Sequence, residues 1–151
     1  MSDAPLDEAE ISGRIAASFG KQSFMSTLGA RLSHVAAGEV EIELPILPHV
    51  SQQHGFVHAG AVASIADSAC GYAALTLMPA GAGVLTAEFK INLLAPAAGE
   101  RLVAKGRVVK AGRTLTLAMA EIFAVKDGAS KLCAMMTATC MTIAGRDGVA
   151  D

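Results

Sequence analysis

Asp67 is the only acidic or basic side chain, histidines aside, between Glu43 and Glu88. It stands inside Gly60-Ala-Val-Ala-Ser-Ile-Ala-Asp67-Ser-Ala-Cys-Gly-Tyr-Ala-Ala-Leu, a segment otherwise composed like a buried helix. A lone carboxylate in such a place is costly unless it is paired, hydrogen-bonded or beside water. Ionisable groups of this kind cluster at functional sites. An ionised carboxylate there would draw a proton from water as a general base, or attack an electrophile itself. The other reading is an Asp that braces a neighbouring loop. His54 and His58 precede the segment within reach of a helix carboxylate. Ser64 and Ser68 flank Asp67 without a nearby basic partner, and no Gly-x-Ser-x-Gly occurs. Cys70, Cys133 and Cys140 are odd in number, lie among apolar neighbours and show no metal-ligand spacing. They read as small buried hydrophobes of a reduced compartment.

A chain of 151 residues fits one domain with a sizeable core. With 52% hydrophobic and 17% charged residues, little polar surface is left to hide the apolar groups, which predicts an oligomer. No apolar run is both long enough to span a bilayer and free of Asp, Gly and Pro. The segment Met1-Ser-Asp-Ala-Pro-Leu-Asp-Glu is acidic, unlike a signal peptide, so a cytoplasmic location is expected. A net charge of -2 and the lack of a basic block argue against nucleic-acid binding. No metal and no tightly bound cofactor is called for.

The elements that must position Asp67 follow from periodicity. Leu6, Ile11, Ile15 and Phe19 share a helical face over residues 6–19, with Gly20 as a stop, and a second short turn spans Gln22 to Leu28. Val40, Ile42, Leu44 and Ile46 alternate with Glu39, Glu41 and Glu43 as a strand, and Pro45 predicts an edge or a bulge. A loop over residues 48–58 leads into a helix from about Ala59 to Met78, ended by Pro79-Ala-Gly-Ala-Gly83. That helix is apolar on all sides apart from Asp67 and small hydroxyls, so it must be enclosed. Four more strands enclose it, at 85–93, 101–109, 115–125 and 131–143, the last three forming a meander with an Asp127-Gly128 hairpin turn. The prediction is a single α+β domain over residues 1–151. It has a helical extension at about 6–28, a core at about 30–143 and a short tail.

This layout resembles the hotdog fold, a curved antiparallel sheet wrapped around one long helix. More closely, it is similar to the PaaI-like acyl-CoA thioesterases. The likeness rests on Gln52-Gln-His54-Gly-Phe-Val-His58-Ala59-Gly60 followed by Asp67, and on the later stretch from Leu85 to Pro96. The family pattern is a loop Asn, then His-Gly-Gly opening the helix, then an acidic residue two turns on. Here Gln52 stands at the Asn position and Ala59 at the middle Gly.

The resemblance implies hydrolysis of an acyl-CoA thioester to the free acid and coenzyme A. The first-turn amides at Ala59 and Gly60 are unbonded donors at the positive end of the helix dipole, placed to polarise the thioester carbonyl. Asp67, two turns along, faces the same way as Gly60. Gln52 would hold the water or the thioester, and Thr86 would reach in from a partner subunit. His54 and His58 belong to the binding loop, with His58 as a loop-fixing hydrogen bond. Phe56, Val57 and Tyr72 are candidates for the acyl groove, and Lys90, Lys110 and Arg113 for the coenzyme A phosphates. The partners implied are the acyl-CoA substrate and a second copy of the chain, as a homodimer and then a dimer of dimers. A 3-hydroxyacyl-thioester dehydratase, using a His with the carboxylate, and a non-catalytic acyl-CoA-binding module remain the alternatives.

Overall fold

The computed structural model describes residues 5–151. Helix α1, Glu8–Lys21, starts at a reciprocal cap: Asp7 Oδ1 accepts from the Glu10 amide at 2.8 Å, and Glu10 Oε2 accepts from the Asp7 amide at 2.9 Å. Ile11 and Ile15 are buried, with Leu6 and Phe19 packed against the same core. Helix α2, Ser23–Leu28, ends at Gly29 with φ 81°, a left-handed cap that glycine takes cheaply.

Six strands follow: β1 Arg31–Ala36, β2 Glu39–Pro45, β3 Gly83–Leu93, β4 Arg101–Lys110, β5 Leu115–Lys126 and β6 Ala129–Ile143. They form one sheet in the order β1-β2-β4-β5-β6-β3, with every pairing antiparallel. Helix α3, Ala59–Leu75, lies against β2, β3, β4, β5 and β6. This is the hotdog arrangement. The dry face of β2 is as expected, with Val40, Ile42 and Leu44 fully buried. The turn Asp127-Gly128 has φ of 50° and 76°, the positive pair that a two-residue hairpin needs.

Three details differ from the sequence reading. Strand β1 was not anticipated, and it makes β2 an interior strand rather than an edge. Pro45 is tolerated because it lies beyond the last β1 pair, Arg31 with Glu43, and is bonded only toward Arg101 of β4. Helix α3 closes at Leu75 rather than near Met78. Its end is held by Arg14, whose guanidinium donates to the carbonyls of Leu75, Met78, Pro79 and Ala82 at 3.3, 2.9, 3.0 and 2.6 Å. Carbonyls at a helix C-terminus have no partner within the helix, so one planar cation substitutes for the missing turn.

The third difference bears on the site. The β3–β6 register slips between Thr86 and Glu88, so β3 carries a bulge. Before it, Thr86 sits opposite the buried Cys140, facing the helix. After it, Phe89 and Ile91 sit opposite the buried Ala138 and Met136. Strict alternation would have placed Thr86 with Glu88 and Lys90 on the outer face. The extra residue re-aims it inward.

Helix and sheet approach closely because α3 is rich in alanine. At Gly106 of β4, an added Cβ would lie 2.4 Å from the Ala69 carbonyl oxygen. Only glycine fits there.

Candidate active site

The accessible stripe of α3 runs through Ala59, Gly60, Ala63, Ser64, Asp67 and Ser68, at the three- and four-residue spacing of one helical face. The other faces are packed on the sheet. Asp67 is half-buried, and its Oδ1 accepts from Thr86 Oγ at 2.7 Å within the same chain. Thr86 therefore meets its own Asp67, whereas the sequence reading had it reaching across a subunit boundary. Oδ2 has no partner among the described residues, and Asp67 lines a cleft of about 410 Å³. A carboxylate with one oxygen anchored and the other free can take a proton from an ordered water without reorienting.

The thiols around it are not competing nucleophiles. Burial first, and then the Asp67 charge, push Cys140 up to about 11. Cys70 is raised still further, mainly by burial, with Cys140 and Asp67 adding to it. Both stay protonated near neutrality, and a thiol without its thiolate is inert.

At the start of α3, His58 is the N-cap, and its Nδ1 accepts from the Gly60 amide at 2.8 Å. The ring lies against Gly60, where an added Cβ would come within 3.0 Å of Nδ1, which explains the glycine. The amides of Ala61 and Val62 donate to the His58 carbonyl at 2.9 and 3.2 Å. Of the first-turn amides, Ala59 N–H is thus the one left without an acceptor among the described residues. Gly60 N–H, expected as a second donor, is taken by the cap.

A separate cavity of about 570 Å³ opens beside Ala59, and Gln52, Phe56, Val57 and His58 line it together with Leu93 and Leu94 of the β3 end. Gln52 folds into its own loop. Its backbone amide donates to Phe56 O at 2.8 Å, and its side-chain carbonyl accepts from the His54 amide. Asp67 is seven residues beyond Gly60, or roughly 10 Å along the helix. Within one chain, Ala59 and Asp67 line different cavities.

Of the other residues singled out, Tyr72 lines the Asp67 cleft, while Phe56 and Val57 line the cavity at the helix start. His54 is exposed in the loop. Lys90, Lys110 and Arg113 are exposed and border neither cavity. None of the loop histidines His49, His54 and His58 lines the Asp67 cleft, so the acid–base pair that a dehydratase would use is not assembled within the chain.

Three residues that line the Asp67 cleft, Gln22, Ser18 and Asp151, carry no signal in the sequence. Gln22, at the break between α1 and α2, accepts from Ser68 Oγ at 3.0 Å, and its amide NH2 has no partner among the described residues. Ser18 donates to Asp151 Oδ1 at 2.6 Å and lies 3.4 Å from the Tyr72 hydroxyl. No periodicity marks these residues, because tertiary folding alone brings them together.

Residues 54–131 match the family model of the thioesterase superfamily. Among solved structures, the chain is similar to a thioesterase family protein from Silicibacter pomeroyi, 49% identical with a TM-score of 0.88, over 89% of this chain and 99% of that one. It is also similar to a variant of the phenylacetic acid degradation protein PaaI from Thermus thermophilus, 26% identical with a TM-score of 0.69, over 80% of this chain and 98% of that one. The PaaI protein of E. coli shares the fold at 22% identity, with a TM-score of 0.79 over 89% of this chain and 94% of that one. The match spans α3, which carries both the free amide and the free carboxylate, and strands β3 to β5 around it; this chain belongs to the thioesterase superfamily.

Proposed function

We propose that the protein hydrolyses acyl-coenzyme A thioesters, with Asp67 as general base and the Ala59 amide as oxyanion donor. The observation that carries this reading is Asp67 itself, a half-buried carboxylate lining a cleft, anchored through Oδ1 by Thr86 and with Oδ2 unpaired among the described residues. A water beside Oδ2 gives up a proton as its oxygen attacks the carbonyl carbon. The carbonyl oxygen takes up the negative charge against the amide, the C–S bond breaks, and the proton passes to the departing thiolate. A direct attack by Asp67 would form an anhydride that water then opens, giving the same products.

The two halves meet across a dimer in this reading. Strand β3 is a sheet edge, and Phe89 and Leu93 on it are 46% and 56% exposed. A long apolar edge of this kind invites pairing with another strand. Antiparallel pairing of two β3 strands about Glu88 sets Leu93 of one chain near Gly83 of the other. The cavity beside Ala59, walled by Leu93 and Leu94, then adjoins the partner's cleft, walled by Val84, Leu85 and Thr86. Gln52 enters with the Ala59 half. Lys90, Lys110 and Arg113 remain candidates for the coenzyme A phosphates, beside Lys21, which lines the Asp67 cleft.

The test is thiol release from a panel of short, medium, long and aryl acyl-CoAs. Asp67→Asn should lose about 100-fold or more in kcat while keeping its melting temperature. Undiminished turnover in that variant would remove the base from the scheme.

A further inference from the structure

The Asp67 cleft has a far end as well as a mouth. Helix α1 runs antiparallel to α3 along it, Gln22 meeting Ser68 at 3.0 Å and Ser18 lying 3.4 Å from Tyr72. Strand β3 does the same: Thr86 meets Asp67 at 2.7 Å, while Ala82, just before β3, is tied through Arg14 to Leu75 at the end of α3. Asp67 and Thr86 therefore mark one end, and Tyr72, Ser18 and Val84 the other. The floor from Asp67 to Tyr72 is five residues of helix, or roughly 7.5 Å.

The far end is closed by the tail. Asp151 accepts from Ser18 at 2.6 Å, its backbone carbonyl accepts from Arg14 Nε at 3.0 Å, and its amide donates to Ala82 O at 3.4 Å. Val149 packs on β3 so closely that a Cβ on Gly83 would lie 2.9 Å from its Cγ1. Burial raises the Tyr72 phenol above its ordinary value, with the Asp151 charge adding and the Ser18 contact opposing, so the wall carries a neutral phenol beside a carboxylate. Near the far end of the floor, next to Tyr72, is Gly71, where an added Cβ would meet nothing within 4 Å. Glycine is disfavoured inside a helix. Packing does not require it here, and a methyl would project into the cleft.

We propose that this cleft is a blind slot for the acyl group, with Gly71 setting its width and the Ser18–Tyr72–Asp151 wall setting its length. The inference rests on Asp67 being the hydrolytic base. The slot takes an acyl group of a few carbons or a single ring. A longer chain must unseat the Ser18–Asp151 bond and press apolar carbon against a carboxylate, which burial without compensation penalises.

The experiment is a kcat/KM profile over acyl-CoAs of increasing chain length for the wild-type protein, Gly71→Ala, Asp151→Ala and a chain ending at Gly145, each checked by thermal melt. Gly71→Ala should melt no lower than wild type and lose about tenfold or more on the longest accepted acyl group relative to the shortest, the scale at which enzymes discriminate single methylenes. Asp151→Ala and the shortened chain should move the preference toward longer acyl groups by a similar factor. Superimposable profiles in folded variants would overturn the slot while leaving the hydrolase intact. If the wild-type protein released no thiol from any acyl-CoA, the hydrolase reading would fail first and take the slot with it.

Discussion

Replacing Ala59 with proline deletes one N–H at the first position of α3. Proline is favoured at that position, since the missing donor is unpaired within the helix anyway. The preceding residue, His58, has φ -61° and ψ 137°, the extended conformation that a residue before proline prefers. Nothing among the described residues accepts from this amide, and the cap at Gly60 is left in place. The variant should therefore fold as well as the parent. Loss of one oxyanion donor typically costs on the order of 100- to 1000-fold in kcat, or about 3–4 kcal/mol of barrier. The assay is steady-state thiol release alongside a thermal melt. An unchanged melt with kcat down by that factor is expected. An unchanged melt with full kcat would refute the placement of the carbonyl at this amide. Mixing Ala59→Pro with Asp67→Asn subunits adds a second readout, because a mixed dimer with its site between chains regains one intact centre. With random exchange about a quarter of wild-type turnover should return, whereas a site built within one chain would regain none.

Thr86→Val keeps the shape of the side chain but frees Asp67 Oδ1; a hydrogen bond to a charged group is worth about 1.5–3 kcal/mol, so kcat should fall roughly 10- to 100-fold in the thiol-release assay. Gly106→Ala drives a methyl into the Ala69 carbonyl and should lower stability by about 1–3 kcal/mol or more in a urea titration. Cys140 loses its proton near its usual value when unfolded but only at about 11 when folded. The native state thus holds the extra proton between these values, and stability falls as pH rises through that window. Cys140→Ala should make that alkaline limb shallower in denaturant titrations between pH 8 and 11, with the buried Cys70, Cys133 and Tyr72 still contributing, and an unaltered slope would count against it.

The central helix and the meander were legible because their signals are long. A run from Ala59 to Leu75 with a single charge can only be an enclosed helix, and β4 to β6 are joined by turns with recognisable chemistry. Strand β1 escaped notice because Arg31–Ala36 is short, is exposed at half its positions, and turns through an Ala37-Gly38 pair that resembles any loop. Asp67 was legible for the same reason as its helix: a charge stands out against apolar neighbours. The orientation of Thr86 was not, since a bulge reverses the phase of a strand without altering its composition. Gln22, Ser18 and Asp151 reach the cleft through contacts across the fold, which no local pattern records. His58 shows the limit of a motif. The residue types at the helix start indicate donors, but only the geometry shows that the imidazole occupies one of them.

Arg14 has a consequence for anyone trimming this protein. The region shared with the superfamily model begins at residue 54, which invites treating α1 as a dispensable appendage. Yet one side chain of that helix ties off the loose end of α3, the loop that follows it and the backbone of Asp151. Cutting α1 away would strand those oxygens together and loosen the seam between the helix and the first residues of β3. A minimal version of this enzyme has to start upstream of its own recognisable motif.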